Sequence, residues 1–191
     1  MNLPNKITIS RIFLAFIFMF FLFSKGVLAK YLALFTFGIA CLTDFVDGKI
    51  ARSRKMENDF GRLMDPIADK VLILAAFLSF VEMNILPAWM VIIVIFRELV
   101  ITGLRINEAR RGKVVAAAMA GKHKTISQMV TIITILIFLL IRESAQHIWS
   151  PLWETWFRRS VFYLMLITVV LTLISGVSYL AVNKKTLFSN Q

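Results

Sequence analysis

The chain has one cysteine, two histidines and three tyrosines among its 191 residues. A single cysteine, Cys41, excludes an internal disulfide and any metal cluster built on thiolates. His123 and His147 have no serine and acid grouped with them as a nucleophilic site needs, and neither is assigned to catalysis. Aspartate is missing from residue 82 onward. Any site built on aspartates must therefore lie in the first half of the chain.

Hydrophobic residues make up 59% of the chain, whereas soluble globular domains contain about 45–50%. The formal charge of +11 comes from basic residues that lie between the apolar runs. This placement favours anionic lipid headgroups and phosphorylated substrates as partners over nucleic acid. No repeat, linker or low-complexity segment divides the sequence. We therefore predict one membrane-embedded domain over residues 1–191.

Six apolar segments approach the length of about 20 residues that a membrane-spanning helix needs. The apolar runs do not alternate with polar residues, so strands are not indicated. The sequence predicts an all-α integral membrane fold, a bundle of six transmembrane helices with a short N-terminal interfacial segment. Residues 2–10 either form that segment or extend the first helix, and Pro151 is placed in a loop. The predicted spans are 9–23, 29–50, 61–81, 87–106, 124–141 and 160–181.

The orientation follows from the basic residues in the loops. Fourteen of the 22 Lys and Arg residues fall on one side of the predicted spans and five on the other. The positive-inside rule then predicts both termini in the cytoplasm. Trp149, Trp153 and Trp156 fall in the outer loop before the last span, where aromatic side chains anchor at an interface. No small-residue cleavage site follows the first apolar stretch, which is predicted to be a retained helix.

The acids concentrate in residues 41–70, CLTDFVDGKIARSRKMENDFGRLMDPIADK. Several residues at the inner end of the second predicted span share one helical face, at about 100° per residue. They are Asp44, Asp47, Gly48, Ala51 and Arg52. Gly61, Asp65 and Asp69 follow at spacings of four and form a second stripe at the start of the third span. A short turn between the two helices would point these stripes at each other.

Four converging carboxylates in a membrane protein need compensation, because one charged group at a helix centre costs about 2.5–3.5 kcal/mol. Lys49, Arg52 and Lys70 can supply part of it. Oxygen ligands without histidine or thiolate suit hard divalent cations, so the sequence predicts two bridged ions, Mg²⁺ or Mn²⁺. Gly48 and Gly61 leave room beside them for a ligand, although glycine also serves close helix packing.

The pattern Asp44-x2-Asp47-Gly48-x2-Ala51-Arg52-x8-Gly61-x3-Asp65-x3-Asp69 resembles the signature of the CDP-alcohol phosphotransferases at every defined position. The segments NLPNKIT, FRELVITGLR and GKHKT resemble one branch of that family, the bacterial phosphatidylglycerophosphate synthases. The resemblance implies a six-helix bundle, commonly a homodimer, in the bacterial inner membrane. Its site is expected at the cytoplasmic surface, the side that loop charge also indicates.

The resemblance implies a reaction in which CDP-diacylglycerol and sn-glycerol 3-phosphate give phosphatidylglycerophosphate and CMP. By the family pattern, the four aspartates are metal ligands, and Asp69 is also the general base. Arg52 would reach the phosphates of CDP-diacylglycerol, and the small residues of the motif would admit the nucleotide. The expected CDP-diacylglycerol site comprises Asn5, Thr8, Gly48, Ala51, Arg52, Asn58 and Gly61. Asn5 and Thr8 have a competing role as caps of the first helix.

The acceptor phosphate needs a cationic pocket near the metals, and basic residues lie at the inner ends of the fourth and fifth spans. We predict that Arg105, Arg111 and Lys124 bind glycerol phosphate, although the positive-inside rule alone accounts for such residues. Arg97 lies next to Glu98, so an internal ion pair is its competing role.

Three other functions would also account for aspartates on membrane helices. A different acceptor, inositol phosphate first among them, is the alternative within the family. A membrane prenyltransferase would also bind a pyrophosphate through Mg²⁺, but it needs a second acidic cluster that residues 82–191 do not provide. A non-enzymatic ion transporter would need polar groups toward the outer ends of the second and third spans, where few are found.

Overall fold

The structure is a computed structural model that describes the backbone of residues 3–51, 59–110 and 120–183 and the side chains of residues 10–43, 70–108 and 123–183. Within these residues the chain forms six α-helices and one 3₁₀ turn, and no strand. The helices are α1 (Leu3–Phe23), α2 (Val27–Ala51), α3 (Asp59–Glu82), α4 (Ala88–Arg110), α5 (Ala120–Ser144) and α6 (Pro151–Val182), with the 3₁₀ turn at Gln146–Ile148. The predicted all-α fold with six helices is confirmed for the described part of the chain.

The two largest differences from the sequence prediction lie at the starts of α1 and α6. The N-terminal segment is not a separate element, because α1 already begins at Leu3 and runs on to Phe23. Pro151 does not lie in a loop but opens α6, nine residues before the predicted start of that span. Ser150 caps this helix by accepting a hydrogen bond from the Leu152 amide at 3.3 Å. A serine cap followed by proline at the first helical position is a strong helix start.

The helices are apolar on their outer surfaces as well as in the core. On α1, Phe18 and Leu22 are fully buried, whereas Phe13, Phe16 and Phe20 are each more than 60% exposed. A helix that is hydrophobic all round fits a lipid environment, since soluble proteins rarely leave so much contiguous apolar surface in water. Two helical segments, His123–Ser144 and Pro151–Val182, are long and apolar enough to cross a membrane. Both observations favour a membrane protein.

The three described turns lie at one end of the bundle. Gly26, in the turn between α1 and α2, has a φ of +97°, a conformation that side chains other than glycine rarely adopt. Its amide donates to the Glu143 carboxylate near the end of α5, at 2.8 Å. Arg158 of α6 donates to the carbonyl of Asn84 in the turn between α3 and α4, also at 2.8 Å. The last residues of α2 and α4 and the first residues of α3 and α5 therefore lie at the opposite end.

Lys30 closes the end of α1. Its buried Nζ donates to the carbonyls of Leu22 and Ser24, at 2.6 and 2.8 Å. These carbonyls belong to the unpaired set at a helix C-terminus, which needs such partners when it is buried. The ammonium group therefore holds α2 against the end of α1.

We expect Lys30→Met to lower the free energy of unfolding by about 2 kcal/mol, because two buried carbonyls lose their donor. The measurement is the thermal unfolding midpoint of the purified protein in detergent. Lys25→Met is the matched control, since Lys25 lies in the turn just before α2 but is exposed. Equal midpoints for the two variants would contradict a role for Lys30 in closing α1.

Candidate functional site

The acidic motif lies on two consecutive helices. Asp44 and Asp47 lie about two turns and one turn before the end of α2, and Asp65 and Asp69 lie in the second and third turns of α3. These two helices contact each other, and the end of α2 and the start of α3 lie away from the described turns. The backbone thus brings the four predicted metal ligands to one end of two neighbouring helices, as the sequence predicts. Their side chains lie outside the described residues.

Eight other predicted site residues lie on α1, α2 and α3 or outside the described residues. Asn5 and Thr8 lie on α1, Gly48 and Ala51 on α2, and Gly61 on α3, with no side-chain description. Arg52, Asn58 and Arg111 lie outside the described residues altogether. The assignments of these eight residues stay predictions. Among the described side chains, no group of three potential metal ligands occurs, so the motif itself remains the place where a metal is expected.

A buried ionic cluster lies directly beside the motif and is centred on Glu98 of α4. The Glu98 side chain is only 5% exposed and accepts from Lys70 Nζ at 2.5 Å. Lys124 Nζ, from α5, contacts the other carboxylate oxygen, and Arg97 Nη1 lies 3.3 Å from that same oxygen. Three cations thus surround one carboxylate among the described side chains. Counted over the described side chains alone, the cluster has two more cations than carboxylates.

Arg97 extends this cluster to α6. Its Nη2 donates to Ser175 Oγ at 2.8 Å, and its stem lies against Gly176. A Cβ on Gly176 would come within 3.3 Å of Arg97 Cγ, so the glycine allows the arginine to cross the helix closely. The internal ion pair that competes with an acceptor role for Arg97 is therefore present. Through Glu98 and Arg97, helices α3, α4, α5 and α6 are tied together at one level.

Two of the predicted acceptor residues have described side chains. Lys124 is buried and paired with Glu98, so it reaches an acceptor only as a member of the cluster. Arg105 is exposed, and its guanidinium lies 5.3 Å from the ring centroid of Tyr179 on α6. This is a cation–π distance, and it leaves the donors of the guanidinium available at the surface. Lys70, expected to offset the aspartates, contacts Glu98, and the aspartate side chains that would test this expectation lie outside the described residues.

A cavity of about 70 Å³ lies on the bundle side of the motif. Residues from five helices line it, and the polar ones are Arg11, Lys70, Glu98, Thr125 and Gln128. Cys41, also in its wall, lies one turn before Asp44, and Lys70 directly follows Asp69. The cavity wall thus includes residues that lie close to the motif along α2 and α3. Such a mixed polar lining suits a small ligand that carries both charge and hydroxyl groups.

Sequence reasoning missed the central role of Glu98 and the presence of Gln128 in the cavity wall. A signal for Glu98 exists, because it is an acid near the middle of a predicted span and membrane acids need a partner. The sequence does not reveal which cations it pairs with, since Lys70 and Lys124 are 28 and 26 residues away along the chain. Gln128 gives no signal of its own in an apolar run.

Comparison with known proteins links the motif to one family. Residues 1–179 match the sequence model of the family described as CDP-alcohol phosphatidyltransferase. The chain is 37% identical to the CDP-diacylglycerol–glycerol-3-phosphate 3-phosphatidyltransferase of Bacillus subtilis strain 168, over 97% of each chain. It is 35% identical to a probable phosphatidylglycerophosphate synthase of Mycobacterium tuberculosis, over 94% of this chain and 80% of that one. It is 31% identical to the corresponding Escherichia coli K12 phosphatidyltransferase, over 94% and 93%.

We expect Glu98→Gln to lower the free energy of unfolding by about 3–5 kcal/mol, because buried cations then lose their counter-charge. Thermal unfolding in detergent measures the loss. Glu154→Gln is the matched control, since Glu154 pairs with Arg158 at 3.0 Å on the half-exposed outer end and should cost less than about 1 kcal/mol. If the two variants unfolded at the same temperature, the Glu98 cluster would not be a stabilising centre.

Proposed function

We propose, since the chain belongs to the CDP-alcohol phosphatidyltransferase family, that it is an enzyme of phospholipid biosynthesis that transfers a phosphatidyl group from CDP-diacylglycerol to sn-glycerol 3-phosphate. The products are phosphatidylglycerophosphate and CMP. The observation that carries the proposal is the position of the Asp44–Asp69 motif at one end of α2 and α3, beside a buried cluster with excess positive charge. An anionic acceptor and an anionic donor both need cations nearby to balance their negative charge.

The proposed setting is the inner membrane of a bacterium, with six spans and both termini in the cytoplasm. Support for this orientation comes from the excess of Lys and Arg in the segments at the motif end. Exposed Trp153 and Trp156 lie at the other end, in the first turns of α6, where an outer interface would place them. We also propose that the protein forms a homodimer, as is common in the family.

The aspartates fit the divalent cations that we propose as cofactors. Four carboxylates on neighbouring helices supply only oxygen donors, the set that Mg²⁺ and Mn²⁺ prefer. Asp44, Asp47, Asp65 and Asp69 would hold two such ions. When bound, these ions neutralise the diphosphate of CDP-diacylglycerol and the charge that develops on departing CMP.

Residues of the chain take up the proton and position the two substrates. Asp69 accepts the proton from the primary hydroxyl of glycerol phosphate as general base. The hydroxyl oxygen forms a bond to the phosphorus that carries diacylglycerol, the bond between that phosphorus and the CMP oxygen breaks, and CMP leaves with the electron pair. Arg52 contacts the phosphates of the donor, and Gly48 leaves space for the nucleotide. Holding both reactants in line supplies much of the acceleration.

The acceptor phosphate is proposed to bind at Arg105, Arg111 and Lys124. The supporting observation is the charge of the Glu98 cluster, because three cations and one carboxylate leave two positive charges for a phosphate to balance. Arg105 adds an exposed guanidinium at the same end. A phosphorylated acceptor therefore fits this end better than an uncharged one.

The direct test is an assay of purified protein with CDP-diacylglycerol and a panel of acceptors, with and without a chelator. We expect sn-glycerol 3-phosphate to give phosphatidylglycerophosphate, inositol phosphate to react at least 10-fold more slowly, and the chelator to stop turnover. CMP release with inositol phosphate alone would change the acceptor and leave the family chemistry intact. Ion uptake into liposomes without CMP release would contradict the enzymatic proposal.

We expect Asp65→Asn to reduce turnover by a factor of about 10³ or more, because a metal ligand is lost while the protein still inserts. Asp59→Asn is the matched control, since this aspartate begins α3 but lies outside the motif. Steady-state kcat in detergent micelles measures both. Similar kcat values for the two variants would remove Asp65 from the metal site.

We expect Asp69→Asn to lower kcat by a similar factor with little change in the Kd for CDP-diacylglycerol, because a base acts on the acceptor proton rather than on the donor. Binding of the donor is measured by titration without acceptor. An equal loss of donor affinity would make Asp69 mainly a ligand for the cations.

A further inference from the structure

The cavity behind the motif contains a polar group that its protein neighbours leave unsatisfied. Gln128 of α5 lines this cavity and is 2% exposed. Its carboxamide Nε2 is buried and has no hydrogen-bond partner among the described residues. Lys70 and Glu98, in the same lining, bind each other. Burying a donor without a partner costs free energy of folding, which indicates that a bound ligand accepts a hydrogen bond from it.

The position of Gln128 relates the cavity to the reacting groups. Three wall residues each adjoin a residue with a proposed role. Lys70 follows the proposed base Asp69, Thr125 follows the acceptor residue Lys124, and Cys41 precedes Asp44 by one turn. An acceptor held between Lys124 and Asp69 would therefore pass along this wall.

The chemistry of the Gln128 carboxamide limits which part of the substrates it can bind. A phosphate is better matched by the cations of the Glu98 cluster, and a metal ion by the aspartates. The acyl chains of the donor need no hydrogen bond. The primary hydroxyl of glycerol phosphate is the nucleophile and faces Asp69. The only acceptor group left without a partner is the central hydroxyl. A neutral N–H donor suits its neutral oxygen.

We propose that Gln128 determines acceptor specificity, because its carboxamide donates a hydrogen bond to the central hydroxyl of glycerol phosphate. This assignment rests on the proposed function and names the residue that recognises the carbon chain of the acceptor. Gln128 touches the substrate away from the reacting atoms. Its loss therefore weakens the choice between acceptors and leaves the chemical step itself in place.

The test compares two acceptors, sn-glycerol 3-phosphate and 3-hydroxypropyl phosphate, which lacks the central hydroxyl. We expect the unmodified protein to favour the first by about 10-fold in kcat/KM, the value of one net hydrogen bond. Gln128→Leu and Gln128→Met should lower kcat/KM for glycerol phosphate by about that factor and change it for the analogue by less than about twofold. Two apolar replacements of different shape guard against a variant that does not fold.

Thr131→Val is the control variant. Thr131 lies on the same helix, is equally buried and bonds to Thr168 at 3.1 Å, but it does not line the cavity. This variant should keep the 10-fold preference even if its stability falls. The ratio of the two acceptors within each variant is independent of how much protein is active.

Two results would overturn the assignment. One is an unmodified protein that uses both acceptors equally, and the other is a Gln128 variant that loses both activities in parallel. If the unmodified protein instead released no CMP with either acceptor, the proposed function would fail first, and the role of Gln128 would fall with it. The two failures are therefore distinguishable.

Discussion

One buried carboxylate, that of Glu98, joins four helices of this bundle beside the motif end. Lys70, Lys124 and Arg97 would each be costly to bury alone, and helices rich in basic residues would repel one another. Glu98 gives all three a common partner, and Arg97 carries the link on to Ser175 of α6. Lipid offers helices no hydrophobic reason to associate, so polar contacts of this kind and close packing must hold them together. The same carboxylate thus serves stability and keeps positive charge in place for an anionic substrate.

The two ends of the bundle differ in how they are built. The described turns are short and held by specific bonds, such as the Gly26 amide on Glu143 and the Lys30 ammonium on the end of α1. The opposite end carries the acidic motif, with the Glu98 cluster and the cavity near it. This division separates requirements that conflict, because tight turns suit stability whereas a site needs spare polar groups and room for substrates. Gln128, whose Nε2 has no hydrogen-bond partner among the described residues, provides one such spare polar group.

Hydropathy predicts the number of helices here because each lipid-facing segment must be apolar along its whole length. It fails at the boundary of α6, where Ser150 and Pro151 begin a helix well before the apolar run starts. Local capping chemistry, not hydrophobicity, decides that point. Spacing of the aspartates predicts which helix faces carry the site. Partner choice in the Glu98 cluster depends on how distant helices pack, and the sequence of one helix does not contain that information.

The location of the site follows from the solubility of the substrates. A phosphatidyl donor keeps its acyl chains in the bilayer, whereas glycerol phosphate and CMP must enter and leave through water. The reacting phosphorus therefore has to lie near the membrane surface, and a motif in the last two turns of α2 and the first three turns of α3 meets that requirement. A water-soluble acceptor that enters from the surface would meet its cations first and the carboxamide of Gln128 last. Charge would then draw any small phosphate into the site, and selection among such phosphates would depend on the uncharged groups at the bottom of the cavity.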